Sequence, residues 1–194
     1  LVTGPRKSAV RVLEDGKKKI RRGDRAGKPA ELNTGLLESL LSDGYVPTVS
    51  PPMLADDATV ADADADRVAA LLAAELGAEL VLLTDVSGVY ADPEDPETLV
   101  GSAETPEEMD SLVEAAEGFM SRKVHATREA LEGGASGVTI GDAGLRKPLV
   151  AALTGHGTHV APGAVETPDA ETDGGVAVGN EAAQTEVTAG GDAE

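Results

Sequence analysis

The stretch ADADADRVAALLAAELGAELVLLTDVSGVY, residues 61–90, limits the fold more than any other part of the chain. Its first half sets Val68, Leu71, Leu72 and Leu76 at helical spacing behind Asp62, Asp64 and Asp66. Its second half, residues 79–85, is a short unbroken apolar run that ends in Thr84, Asp85 and Gly88, the pattern of a strand buried on both faces. Helix leading into strand across Gly77 implies a parallel sheet and an α/β chain. Ligands of such sheets gather at the carboxyl ends of the strands, where Thr84 and Asp85 stand.

Acids just ahead of an apolar helical stripe suit the exposed N–H groups and dipole of a helix start, so capping alone accounts for much of Asp62-Ala-Asp64-Ala-Asp66. A calcium loop does not fit, because its sixth position would be Arg67 instead of Gly and its twelfth Ala73 instead of Glu. Further on, Ser121 can cap a helix with Val124, Thr127 and Leu131 inward and Gly133-Gly134 at its end, which puts Arg122 and Lys123 in the first turn. Cations there oppose the helix dipole unless an anion binds, in which case ammonium and N–H groups converge on it.

The remaining segments read as scaffold. Asn33 can cap a helix carrying Leu36, Leu37, Leu40 and Leu41, with Gly44 closing it and a strand expected at residues 45–49. Thr105-Pro106-Glu107-Glu108 is a capping box ahead of Met109, Leu112, Val113 and Ala116. A short strand is expected at residues 138–140 and a short helix at 149–153, followed by Gly157-Thr158. His156 and His159 flank that turn as loop residues, since zinc would need a third ligand at recognisable spacing.

Charge divides the chain. Residues 1–28 hold ten of the sixteen Lys and Arg against three acids, +7 locally, while the remainder carries −26 of a net −19. The cations cluster in AVRVLEDGKKKIRR, a β-hairpin turning on Asp15-Gly16, with Lys17, Lys18, Lys19, Arg21 and Arg22 on its second strand. Like charges this dense call for an acidic partner. Nucleic acid fits poorly, because the hairpin has no aromatic platform and the rest of the chain would repel phosphates. No apolar run reaches 18 residues, so no membrane span is expected, and the absence of Cys excludes disulfides and thiolate metal sites. Without a recognisable signal peptide a cytoplasmic location is expected. Residues 166–194, with eight acids and no bases, read as a disordered tail after a domain at 1–165. The acidity also resembles that of proteins from salt-loving cytoplasms.

Taken in order, Asp62-Ala63-Asp64-Ala65-Asp66, Leu83-Thr84-Asp85-Val86-Ser87-Gly88-Val89, Gly118-Phe119-Met120-Ser121-Arg122-Lys123 and Gly157-Thr158 resemble the motifs of the amino-acid kinase family, acetylglutamate kinase branch. The likeness runs over residues 4–162. It implies a three-layer, doubly wound, mainly parallel α/β sheet, with the family's first strand, its phosphate-binding lysine and its Gly-Gly loop expected ahead of Leu1. On that expectation the chain would be inactive alone.

By the same resemblance Lys123 stabilises charge on a transferred phosphoryl group and Asp66 organises the lysine. Asp62 contacts the amino-acid substrate, and Thr84, Asp85, Val86, Gly88 and Tyr90 face the nucleotide. ATP and Mg2+ are the implied co-substrates, with no metal site of the protein's own and a homo-oligomer, a dimer, expected. An acceptor carboxylate is ionised at neutral pH, so alignment and charge neutralisation suffice without a general base.

The basic hairpin narrows the resemblance to kinases that phosphorylate aminoadipate or glutamate held on a small acidic amino-group carrier protein in lysine and arginine synthesis. Free N-acetylglutamate is the competing acceptor. Two departures stand out: Asp62 replaces the family's Asn, and residues 55–58 lack the glycine usual before that motif. These leave a second class of function open, an inactive module that binds the carrier through the hairpin.

Overall fold

The computed structural model describes residues 2–7, 9–14, 17–22 and 26–165. One four-stranded sheet has the order β4-β1-β5-β6, from β1 (Val2–Gly4), β4 (Glu31–Leu32), β5 (Met53–Ala55) and β6 (Val60–Ala61). A second has the order β7-β9-β10-β8, from β7 (Glu79–Thr84), β8 (Ser102–Ala103), β9 (Gly137–Asp142) and β10 (Thr158–Val160). Parallel pairs β1–β5, β7–β9 and β8–β10 alternate with antiparallel ones, so the α/β sheets are mixed. Among the described residues no helix is long and apolar enough to cross a membrane.

Helices cover both faces of the second sheet. On one side Val138 and Ile140 of β9 join a core with Val124, Ala130 and Leu131 of α4 (Gly118–Glu132) and Ala70 and Ala73 of α2 (Ala65–Leu76). On the other, Gly141 lies against Ala152 of α5 (Pro148–Leu153), where a Cβ at 141 would sit 3.5 Å from the alanine. The three layers follow from that alternation along one strand. A smaller core of Val2, Met53, Ala55, Ala61, Ala63 and Val68 ties the first sheet to α2.

Local chemistry places the helices. Asn33 accepts from the Leu36 amide and starts α1 (Thr34–Ser42). Asp64 caps α2 by accepting from the amides of Asp66 at 3.0 Å and Arg67 at 3.3 Å, and Gly77 closes the helix in the left-handed region. Thr105 and Glu108 form the reciprocal capping box of α3 (Pro106–Ala115).

Several expectations are corrected. Residues 45–49 form no strand; Val46 is 91% exposed, and the strand begins after Pro51 and Pro52, which have no N–H to give a ladder. The inner face of α2 is built from Val68, Ala70 and Ala73, with Leu71, Leu72 and Leu76 half-buried, because alanines allow α4 to approach closely. Strand β7 buries Leu80 and Leu82 but leaves Leu83 37% exposed, since it is an edge strand; the strand buried on both faces is β9. Helix α4 starts at Gly118 (φ +56°), three residues before Ser121, so Lys123 stands in its second turn.

The hairpin forms as β2 (Ala9–Glu14) against β3 (Lys17–Arg22), with Glu14 opposite Lys17 and Ala9 opposite Arg22. Asp15-Gly16 lies outside the described residues, as do the side chains of Lys17, Lys18, Arg21 and Arg22; Lys19 is exposed. The expected tail at 166–194 also lies outside them.

Candidate active site

Two ion pairs of opposite polarity cross between α2 and α4. The Lys123 Nζ donates to Asp66 Oδ1 at 3.0 Å and Oδ2 at 3.2 Å. One residue along α2, Arg67 donates from Nε and Nη2 to the two carboxylate oxygens of Glu129 at 2.8 and 2.6 Å. The two pairs tie α2 to α4 at two points. With side chains 17% and 23% exposed, Lys123 and Asp66 keep part of their hydration.

Of the cavities along α4, two lie on either side of the Lys123 position. The larger, about 660 Å³, is lined by Asp62, Asp64 and Arg67 at the start of α2 and by Arg122, His125 and Glu129 on α4. Its remaining wall is the base of the basic hairpin, Lys7 before β2 and Ala26-Gly27 after β3, joined by a Lys7 N–H to Ala26 carbonyl bond of 2.8 Å. Gly27 packs closely there: a Cβ would stand 2.6 Å from Met53 Sδ and 3.1 Å from Ala61 Cβ, so the methionine side chain would have to shift. Asp62 is exposed on the rim, and its carbonyl accepts from the Gly27 amide at 2.6 Å.

The smaller cavity, about 200 Å³, lies between the loop after β7 and the start of α4, with Val86, Gly88 and Tyr90 facing Ala115 and Met120. Lys123 is three residues from Met120 in that cavity and three from Ala126 in the larger one, about 60° around the helix from each. It therefore sits on the ridge between them.

Of the residues expected at the site, Lys123 and Asp66 meet, Asp62 joins the larger cavity, and Val86, Gly88 and Tyr90 line the smaller one. Thr84 and Asp85 do not line it; the Thr84 hydroxyl donates to Asp85 Oδ1 at 3.2 Å at the end of β7. Near the first sheet, Asp57 accepts from the Thr59 hydroxyl and, at 3.0 Å, from the Thr59 amide, with Arg6 Nη1 3.6 Å away. Those hydrogen bonds, then the nearby guanidinium, hold its carboxyl below the usual 3.8.

Residues 6–142 match the model of the amino acid kinase family. The chain belongs to that family. Within the amino acid kinase family, it is 42% identical over 163 residues to the LysW-aminoadipate kinase of Thermus thermophilus, covering 82% of this chain and 60% of that protein. It is 35% identical over 165 residues to the acetylglutamate kinase of Moorella thermoacetica, 81% of this chain and 55% of the relative. The chain thus spans little more than half the length of the curated relatives it matches. Among solved structures, the N-acetylglutamate synthase of Neisseria gonorrhoeae in complex with coenzyme A and L-arginine superposes with a TM-score of 0.65 at 26% identity, over 84% of this chain and 38% of that one. These relatives agree with the acetylglutamate kinase branch.

Sequence reading missed Lys7, Gly27, Arg67, His125 and Glu129 as cavity residues of this family member. Arg67 and Glu129 are 62 positions apart, and no spacing rule joins them. Lys7 and Gly27 belong together only once the hairpin brings its two ends side by side.

Proposed function

We propose that this chain acts in ATP-dependent phosphorylation of the side-chain carboxylate of aminoadipate or glutamate held on a small acidic amino-group carrier protein. The observation that carries the reading is the Lys123–Asp66 pair, 3.0 Å apart on the ridge between two cavities. The smaller cavity takes the nucleotide and the larger one the acceptor. An acceptor carboxylate oxygen attacks the γ-phosphorus, the bond to the oxygen bridging the β- and γ-phosphates breaks, and the products are an acyl phosphate and ADP. No proton moves, because the acceptor is already ionised.

Lys123 meets the charge that builds on the equatorial oxygens, an interaction typically worth about 10²–10³ in kcat when such a group is removed. Asp66 holds that ammonium in place. Among the described residues no three His, Asp or Glu side chains converge as a metal cage. In this reading Mg2+ enters with the ATP phosphates, as part of the substrate.

The carrier-linked acceptor is supported by the hairpin cations and by the cavity wall made from the hairpin's own base, Lys7 and Ala26-Gly27. A carrier docked on Lys17, Lys18, Lys19, Arg21 and Arg22 would present its cargo beside that wall. Similarity to a LysW-aminoadipate kinase points the same way. Asp62, an acid at the substrate position, shares the cavity with Lys7 and Arg122, while Arg67 is engaged by Glu129 and Asp64 adds a second acid. Free N-acetylglutamate is the second acceptor, favoured by the acetylglutamate kinase relative.

Mg-ATP turnover by the full-length protein with carrier-linked aminoadipate, carrier-linked glutamate and free N-acetylglutamate tests the reading. A kcat/KM at least about tenfold higher for a carrier-linked acceptor is expected. Preference for N-acetylglutamate would overturn the subtype. Turnover on none of them, with salt-sensitive carrier binding retained, would make the protein a binding module.

A further inference from the structure

We infer that Thr158 is a positioning residue for the nucleotide, acting through the backbone of Gly88 and Val89; this rests on the nucleotide reading of the loop at residues 84–90. Thr158 is fully buried in β10. Its hydroxyl is used in both directions: Oγ1 accepts from the Val89 amide at 2.8 Å and donates to the Val100 carbonyl at 2.7 Å. It thereby joins the loop leaving β7 to the segment entering β8. The main chain repeats the link, with the Val100 amide donating to the Val89 carbonyl at 2.9 Å and Tyr90 bridged to Leu99.

The fit around this hydroxyl is close. A Cβ on Gly88 would stand 2.6 Å from Thr158 Oγ1 and 3.0 Å from its amide nitrogen, so Gly88 lies directly on the threonine. Gly157 ahead of it has φ +119°, and a Cβ there would run into the Ile140 carbonyl oxygen. The Gly157-Thr158 pair is thus a floor on which the Gly88–Val89 backbone rests. Above that floor is the 200 Å³ cavity whose Val86, Tyr90 and Met120 offer apolar surface suited to a nucleobase.

A buried hydroxyl that satisfies one amide and one carbonyl is replaceable in shape, but not in bonding, by valine. Thr158→Val leaves the Val89 amide and the Val100 carbonyl without that partner, and the loop loses its fixed height over the cavity. The inference requires a defect confined to the nucleotide half of the site, because neither Lys123 nor the larger cavity touches this floor.

The test compares wild type, Thr158→Val and Thr158→Ser for the Kd of a fluorescent ATP analogue, for the KM of ATP and of the acceptor, and for hydrogen exchange of the Val89 amide. Thr158→Val is expected to weaken nucleotide binding about tenfold and to speed Val89 exchange at least tenfold, with the acceptor KM unchanged. Thr158→Ser, which keeps the hydroxyl, is expected to restore both. Thr158→Ala replaces valine if the valine variant does not fold. Unchanged nucleotide affinity in a folded hydroxyl-free variant, an equal rise in both KM values, or failure of serine to restore binding would overturn the inference. If wild type binds no nucleotide, the nucleotide reading of the loop is lost, and with it the positioning role; Val89 exchange still reports separately whether Thr158 fastens the loop.

Discussion

Lys123 and Asp66 are 57 positions apart in the chain, yet the ammonium lies within 3.2 Å of both oxygens of the carboxylate. The pair exists because alanines on α2 let α4 approach closely, and because Asp64 starts α2 where its next acid faces the partner helix. Arg67 and Glu129 repeat the contact with charges reversed. Being half-exposed, that second pair adds only about 0.2–1 kcal/mol. It adds a second tie between α2 and α4.

The turn between β5 and β6 gives a pH prediction. The Asp57 carboxyl is held below 3.8 in the folded chain by the Thr59 hydroxyl and amide and by Arg6. A carboxylate with a lowered folded pKa adds stability above its unfolded pKa and loses it as pH falls through the folded value. An NMR titration should place the Asp57 midpoint below 3.8, and Thr59→Ala should raise it; a wild-type midpoint at or above 3.8 contradicts the geometry.

Backbone conformation gives a paired test. Gly157→Ala places a Cβ against the Ile140 carbonyl at φ +119° and should lower stability by about 2 kcal/mol or more. Ala58, at φ +61°, stands in the segment expected to carry a glycine. A left-handed alanine costs about 1–2 kcal/mol and glycine's extra unfolded-state entropy returns about 0.4–1, so Ala58→Gly should stabilise by up to about 1 kcal/mol. Urea unfolding of the two variants checks both signs.

What the sequence revealed was mostly local or motif-bound. Asn33, Asp64 and the Thr105–Glu108 box act within four residues, and each caps the helix expected of it. The Lys123–Asp66 meeting came from the order of motifs, since nothing local to either residue points to the other. What stayed hidden depends on neighbours in space. An apolar run does not say whether it is an edge strand, so the two-faced burial expected of β7 belongs to β9. The start of α4 was misplaced because Ser121 is a good cap, while Gly118 at φ +56° makes the turn into the helix earlier. The larger cavity escaped notice because hairpin closure, α2 and α4 together build it.

Hairpin charge should govern carrier use. Replacing Lys17, Lys18 and Lys19 with Glu changes the segment's charge by six units and should raise the KM for carrier-linked acceptor at least about tenfold at low salt, with the difference shrinking as salt is added. The KM for a free amino-acid acceptor should not move. Equal effects on both acceptors would mean that the hairpin serves the fold instead of docking.

Net charge should govern stability in a parallel way. At −19, with −26 outside the first 28 residues, self-repulsion opposes the compact state. Shortening the Debye length from about 10 Å at 0.1 M to about 3 Å at 1 M potassium chloride should raise the melting temperature. A melting temperature independent of salt would count against this.

The most direct measurement of the central claim is kcat for Lys123→Met at saturating Mg-ATP and acceptor, with nucleotide affinity measured on the same preparation. If the Lys123 ammonium, held by Asp66, neutralises the phosphoryl group in flight, kcat falls by about 100-fold or more while nucleotide binding is retained. A variant that binds nucleotide normally and turns over within about tenfold of wild type would contradict the account.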